Sequence, residues 1–184
     1  IFEAADNGDQ LFAVGEGGTV LYKNGDSFSI QSSPTRSDLY GIAADTSESF
    51  IAVGQNGTAI RYDGVAWAEL TTHTQADLFG VMSTNEVTLA VGDGVILAFN
   101  GDIWSQEGFG FTEKLFSIAI NEAQEVTAVG ENGTIFNRSG STWKTQSLPV
   151  NEHLYAIDSH SQRHASAASR VLRRAPPRCF RGRD

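Results

Sequence analysis

The sequence predicts an all-β chain: a β-propeller of four-stranded antiparallel blades, about four of them with a partial fifth, in an incomplete ring. Three observations carry that prediction. Ala-Val-Gly recurs at Ala13, Ala52, Ala90 and Ala128, at intervals of 39, 38 and 38 residues. A glycine followed three positions later by an aromatic ring recurs at Gly25/Phe28, Gly64/Trp67, Gly101/Trp104 and Gly140/Trp143. A Leu-aromatic-small-aliphatic signature opens at Leu39, Leu78, Leu115 and Leu154. Markers that hold one phase over a period of about 38 residues define repeated supersecondary units, and four short strands per unit make the blade of a propeller. A β-trefoil has units of similar size but stops at three, whereas here a fifth begins.

The units are expected at 1–38, 39–77, 78–114 and 115–153, with a partial unit at 154–162. The second unit shows the reason for each element. Residues 39–44 are rich in small side chains, as the strand nearest a crowded axis must be, and Gly80 and Ser117 follow Gly41 at equivalent places. Residues 45–49 form a polar turn, 50–53 an apolar strand and 54–57 a second turn. Residues 58–62 alternate as a strand does. Asp63-Gly64 reads as a two-residue hairpin, because both positions of a type I′ turn need positive φ, and 67–70 closes the blade. Asn24-Gly25, Asn100-Gly101 and Ser139-Gly140 repeat this turn chemistry. No window has helical periodicity. In the first unit Ala4-Ala5-Asp6 aligns with Ala43-Ala44-Asp45, which puts Ile1 in the place of Tyr40. Phe28, Trp67, Trp104 and Trp143 are expected to pack between blades, each ring removing about 150–250 Å² from water. Tyr22, Tyr40, Tyr62 and Tyr155 are expected in the core.

The chain has 184 residues, 40% of them hydrophobic, and a formal charge of −9, which suits one core of ordinary size and not wholesale disorder. A single cysteine, Cys179, excludes a disulfide framework. No apolar run approaches the roughly 18 residues that span a bilayer. The charge is unevenly divided: residues 1–162 carry a net −15 and residues 163–184 a net +6, with seven arginines against Asp184 alone. The repeat breaks at the same place, since Ala167-Ala168-Ser169 stands where the next Ala-Val-Gly is due. Residues 163–184 are therefore expected to be an aberrant tail, out of frame or disordered, rather than a basic arm for nucleic acid or lipid.

With the first strand innermost, the turns between second and third strands and the loops joining units emerge on one face. That face carries Glu16, Gln55, Asp93 and Glu131 at equivalent positions, with His73 and His153 in the joining loops. Arg36, Asp38, Asp77, Glu113, Lys114 and Glu152 complete its rim. This acidic face is the candidate binding surface, suited to a cationic patch or a divalent ion; its alternative is a solvated row of turns. No catalytic set and no cofactor are expected. His73, His153, His160 and His164 lack the close spacing of a metal site, and the glycines recur because turns need them.

The unit Ala-Val-Gly-x-x-Gly-Thr-(Ile/Val) at 13–20 and 128–135, followed by Gly-x-x-Trp, resembles the BNR/Asp-box type of bacterial propeller repeat. Within that group it is most similar to the Ycf48-like (HCF136-like) repeats of the photosystem II assembly factor family. The resemblance covers about residues 1–160 and implies a non-enzymatic binding or scaffold module with a protein partner. It also implies a fragment of a longer bacterial protein of the envelope, extracellular or periplasmic, with no nucleic-acid partner. The Asp-box aspartate, two residues before the glycine, is replaced here by Lys23, Tyr62, Phe99 and Arg138. The group's alternative is an incomplete sialidase-like propeller acting on a glycan. Such a site needs several arginines converging on the substrate carboxylate, and Arg36, Arg61 and Arg138 occupy non-equivalent repeat positions.

Overall fold

The computed structural model describes residues 1–45, 49–84, 86–107, 110–121, 123–140, 142–147, 151–158 and 170–172. The charge break at Gln162, His160, His164, Cys179 and most of the arginine-rich segment lie outside the described residues. Each unit folds as one four-stranded antiparallel sheet with its strands in chain order. Blade 1 comprises β1 (Glu3–Asp6), β2 (Leu11–Val14), β3 (Val20–Asn24) and β4 (Ser27–Ile30). Blade 2 comprises β5 (Leu39–Ala44), β6 (Phe50–Gly54), β7 (Ala59–Tyr62) and β8 (Trp67–Leu70). Blade 3 holds β9 (Leu78–Ser83), β10 (Thr88–Gly92), β11 (Ile96–Phe99) and β12 (Trp104–Glu107). Blade 4 holds β13 (Leu115–Ile120), β14 (Val126–Gly130), β15 (Thr134–Ser139) and β16 (Thr142–Ser147). β17 (Ala156–Asp158) then pairs with β18 (Arg170–Leu172), so the arginine-rich segment contributes one short strand.

Strand alternation explains how the blades stack. In β6, Phe50 and Ala52 face blade 1 and join Phe12, Val14, Val20, Leu39 and Trp67. Ile51 and Val53 face the other way and join Leu78, Ala90, Leu97 and Trp104 of blade 3. A third cluster, including Leu89, Val91, Leu115, Ala128 and Phe136, lies between blades 3 and 4. Strands β6 and β10 are buried along their whole length, as strands covered on both faces must be. Trp67 and Trp104 are 8% and 4% exposed, which fits packing between blades. Phe28 does not pack so: this repeat position leans on the preceding blade, blade 1 is the first described, and the ring is 54% exposed.

The innermost strands β1, β5, β9, β13 and β17 stand side by side. Small residues allow it, since a Cβ added at Gly41 would lie 3.2 Å from the Phe79 carbonyl oxygen, and one at Gly80 would lie 3.1 Å from that of Phe116. The register corrects the expected alignment of the first unit. Glu3 pairs with Val14 as Gly41 pairs with Val53, so Phe2, not Ile1, occupies the place of Tyr40. The cause is the first turn, which runs over 7–10 where blade 2 uses 45–49, one residue more. The hairpins also differ from expectation. Tyr62 pairs with Trp67 and Phe99 with Trp104, so blades 2 and 3 have four-residue loops. Asp63 Oδ1 accepts from the amides of Val65 and Ala66, both at 2.9 Å, and Asn100 Oδ1 from those of Asp102 and Ile103 at 3.0 and 2.9 Å. A side-chain cap of this kind closes the wider loop without a two-residue turn. Blades 1 and 4 have two-residue loops, but one residue later than expected: Asn24 pairs with Ser27 and Ser139 with Thr142, so Asn24 and Ser139 end their strands and the positive φ falls on Gly25 and Gly140.

Candidate functional site

The face predicted from the sequence is built by one recurring residue, the one just before the Leu of each unit. Asp38 reaches back to blade 1, where its Oδ1 accepts from the Gly17 amide at 2.8 Å, while its carbonyl accepts from the Gln55 amide of blade 2 at 2.9 Å. Asp77 repeats this, with its Oδ1 accepting from Asn56 at 2.8 Å and its carbonyl from Asp93 at 2.9 Å. His153 Nδ1 accepts from the Asn132 amide at 3.2 Å. Lys114, at the third such place, reverses the polarity: its carbonyl accepts from the Glu131 amide at 2.9 Å and its Nζ donates to Asp93 Oδ2 at 2.7 Å. Asp38, Asp77 and Lys114 thus each tie two blades together. The Ala-Val-Gly glycine makes room for them, because a Cβ added at Gly54, Gly92 or Gly130 would lie 1.9, 2.0 and 2.0 Å from the carbonyl oxygen of Asp38, Asp77 and Lys114.

Immediately inside this rim runs a row of rings. Phe2, Tyr40, Phe79, Phe116 and Tyr155 are consecutive neighbours with ring centroids 5.5, 5.7, 5.7 and 5.1 Å apart. Their placement comes from the backbone. Leu39 and Gly41 oppose the adjacent residues Gly54 and Val53, leaving Tyr40 as the extra residue of a β-bulge. Phe79 and Phe116 are the bulged residues of β9 and β13. A bulge interrupts the period of two and re-aims its side chain, so Ile42, Val81 and Ile118 are 4%, 8% and 7% exposed while Tyr40, Phe79 and Phe116 stand half-buried on the open face, with Phe2 and Tyr155 exposed at the ends of the row. This corrects the expectation that all four tyrosines pack in the core. Tyr22 and Tyr62 do, against Phe12; Tyr40 and Tyr155 do not. Strict alternation puts Tyr40 on the face of Ile42, which is why the row is invisible to a pattern reading although the Leu-aromatic marker names its members.

Of the residues singled out on this face, Asp93 and Glu131 converge on Lys114, whose amide lies 3.4 Å from Glu131 Oε2. The bond to Asp93 holds the Lys114 ammonium above its ordinary pKa, and the charges of Asp93, Glu131 and Asp77 add to it. Lys114 Nζ also lies 5.9 Å from the centre of the Phe79 ring. Glu16 and Gln55 each open a 3-10 turn on a separate blade. His73 is exposed with φ +58 and sits five positions before its Leu, whereas His153 sits one before, so the two are not brought together. Burial first, then the Asp77 and Asp38 carboxylates, pushes the Tyr40 phenol above its usual 10.

A second polar group lies between blades 2 and 3. Asp45 pairs with Arg61 Nη2 at 2.8 Å and accepts from Ser83, Ser49 and Thr88 at 2.8, 3.0 and 3.1 Å. Its carboxylate is saturated, as is that of Glu107, which takes Arg138 through two bonds of 3.0 and 2.8 Å and the Trp143 indole at 3.2 Å. Two of the three arginines of the repeat body are therefore held by carboxylates at different blade junctions. Among the described residues no group of three His, Cys, Asp or Glu side chains is placed to hold a metal.

Four sheets in chain order, innermost strands side by side and rings packed from blade to blade decide the architecture. The fold is that of a β-propeller. Solved propellers resemble it closely in shape and little in sequence. YCF48 bound to a D1 peptide matches with a TM-score of 0.58 and 17% identity over 80% of this chain and 53% of the other. The WD40 repeats of RRP9 match with a TM-score of 0.68 and 12% identity over 85% and 55%. A catalytically inactive virginiamycin B lyase from Staphylococcus aureus with quinupristin matches with a TM-score of 0.76 and 10% identity over 86% and 59%. The chain thus spans somewhat more than half the length of these propellers. No protein-family model matches the sequence, and no curated protein matches it.

Proposed function

We propose that the protein is a non-enzymatic binding module, and that the bridged, ring-lined face holds a peptide segment of a partner protein. The observation that carries this reading is the continuous row of Phe2, Tyr40, Phe79, Phe116 and Tyr155, whose three central members are turned outward by bulges beside the buried Leu39, Leu78 and Leu115. Exposed aromatics on a rigid scaffold supply contact area at little conformational cost. YCF48, of similar fold, is described with a peptide bound. The glycan-hydrolase alternative loses support because Arg61 and Arg138 are engaged by Asp45 and Glu107 on different blades. A sugar platform is also disfavoured, since neighbouring rings lean on one another and each gives up part of a face.

A peptide display selection against the immobilised full chain tests the reading. Selected peptides are expected to lose binding to a Tyr40→Ala/Phe79→Ala variant that still melts cooperatively. Equal binding by that variant refutes it.

A further inference from the structure

The face has a charge that its architecture does not require. The rim position does not require a carboxylate: Lys114 fills it with a donor and His153 with a ring nitrogen where Asp38 and Asp77 use carboxylates. Two negative charges therefore stand beside Tyr40 in excess of what the turns demand, and their field is felt there, since both raise the phenol's pKa after burial. Seven acids occupy this rim, Glu16, Asp38, Asp77, Asp93, Glu113, Glu131 and Glu152, against Arg36 and Lys114. The ring row and the acids together already hold one cation. Lys114 sits over Phe79 at 5.9 Å with Asp93 at 2.7 Å, the combination of ring face and carboxylate that receives an ammonium group. At Tyr40, whose ring centroid lies 5.7 Å from that of Phe79, the Asp38 and Asp77 carboxylates are close enough to act on the phenol.

Resting on the peptide-binding reading above, we propose that the partner presents an extended, Lys- or Arg-bearing segment, and that the Tyr40–Phe79 pair receives its cationic side chain between Asp38 and Asp77. The ring faces give the cation its seat and the carboxylates its orientation. Lys114 competes for the Phe79 face from the neighbouring blade. Electrostatic complementarity of this kind speeds encounter and fixes register more than it raises affinity, so binding is salt-sensitive.

The test uses the full chain and two fluorescein-labelled peptides, Gly-Ser-Lys-Gly-Ser-Lys-Gly-Ser and its counterpart with Gln for Lys, followed by anisotropy. The lysine peptide is expected to bind about tenfold more tightly than the glutamine one, to weaken about threefold with Phe79→Ala and to tighten about threefold with Lys114→Met. Thermal melts of each variant confirm that it is folded. Equal affinity for the two peptides, both lost in the ring variant, overturns the cationic partner and leaves the peptide-binding face standing. Lysine-peptide binding indifferent to both Phe79→Ala and Lys114→Met overturns the site. Failure of the lysine probe at millimolar concentration, with ring-dependent display peptides in hand, overturns the charge preference. Display peptides that ignore the rings overturn the underlying reading as well.

Discussion

Replacing Gly92 by alanine tests whether close approach, and not backbone freedom, fixes the Ala-Val-Gly glycine. Gly92 is not among the residues with positive φ, and its counterparts Gly54 and Gly130 are extended, with φ of −172° and −163°. A methyl group at Gly92 would stand 2.0 Å from the Asp77 carbonyl oxygen and 3.0 Å from the Leu78 Cα, where ordinary contact begins at 3.4 Å. The rim must therefore move by more than 1 Å, and the 2.9 Å bond from the Asp93 amide to that carbonyl is lost. Overpacking of this size costs about 1–3 kcal/mol and the bond about 1 kcal/mol more. At about 2–4 °C per kcal/mol for a chain of this size, the midpoint falls by roughly 5–15 °C in a melt followed by circular dichroism. Gly17→Asn is the control. Gly17 has φ +61 with open space around it, and the repeat itself places Asn56 and Asn132 there at φ +54 and +53, so the change is expected to be within about 0.5 kcal/mol of neutral. A Gly92→Ala protein that melts with the wild type, or a Gly17→Asn protein that falls as far, refutes the reasoning.

Trp67→Ala, which empties a site 8% exposed and in edge contact with Phe12 of blade 1, is expected to lower stability by about 3–5 kcal/mol in urea unfolding. Phe28→Ala, at the same blade position but 54% exposed, is expected to change it by less than about 0.5 kcal/mol; equal losses would contradict blade-to-blade packing. Burial raises the Glu3 carboxyl to about 6, against a bond from the Ile42 amide that lowers it. The folded state then binds a proton more tightly than the unfolded state, so this group's contribution is full below about 4.5 and is lost as pH rises through about 6. Glu3 as a whole is exposed, so solvent screening keeps the effect below about 1 kcal/mol. Glu3→Gln retains an acceptor for Ile42 and is expected to flatten the stability profile between pH 4.5 and 6; an unchanged slope assigns it to another group.

What was legible in the sequence follows from what the repeat enforces. Strands β5 and β8 lie where the pattern placed them, and β6 and β7 differ by a single end residue, because each strand is anchored by a glycine turn or an alternating run. The shared placement of Glu16, Gln55, Asp93 and Glu131 was also legible, since all four follow the same glycine. What they do there was not. Asp38 and Asp77 share a carboxylate but Lys114 and His153 do not, so only coordinates reveal that the side chains at this one position all bond the neighbouring turns. The register of the first unit was misread for a similar reason. A turn one residue shorter shifts every alignment made from the strand on its far side, and nothing in Asn7-Gly8-Asp9-Gln10 announces its length.

The bulge joins these two failures and explains why the ring row escaped notice. The glycine of Ala-Val-Gly admits the rim carbonyl, the Leu that follows is buried completely, and the chain must then recover its pairing within one residue. It does so by leaving the next residue unpaired and turned out. That geometry requires a bulged residue but not an aromatic one, and the half-buried site would accept a polar side chain without loss of pairing. Ring contact between blades offers about 0.5–1.5 kcal/mol per pair, which accounts for aromatic character on structural grounds alone. It does not account for charge. Ring packing itself draws nothing from carboxylates beside it, and at the equivalent places Lys114 and His153 bond their turns without one. The packing of the rings and their electrostatic surroundings are thus separable, and binding measurements in which Phe79→Ala and Lys114→Met act in opposite directions distinguish a ligand site from a girdle that merely joins the blades.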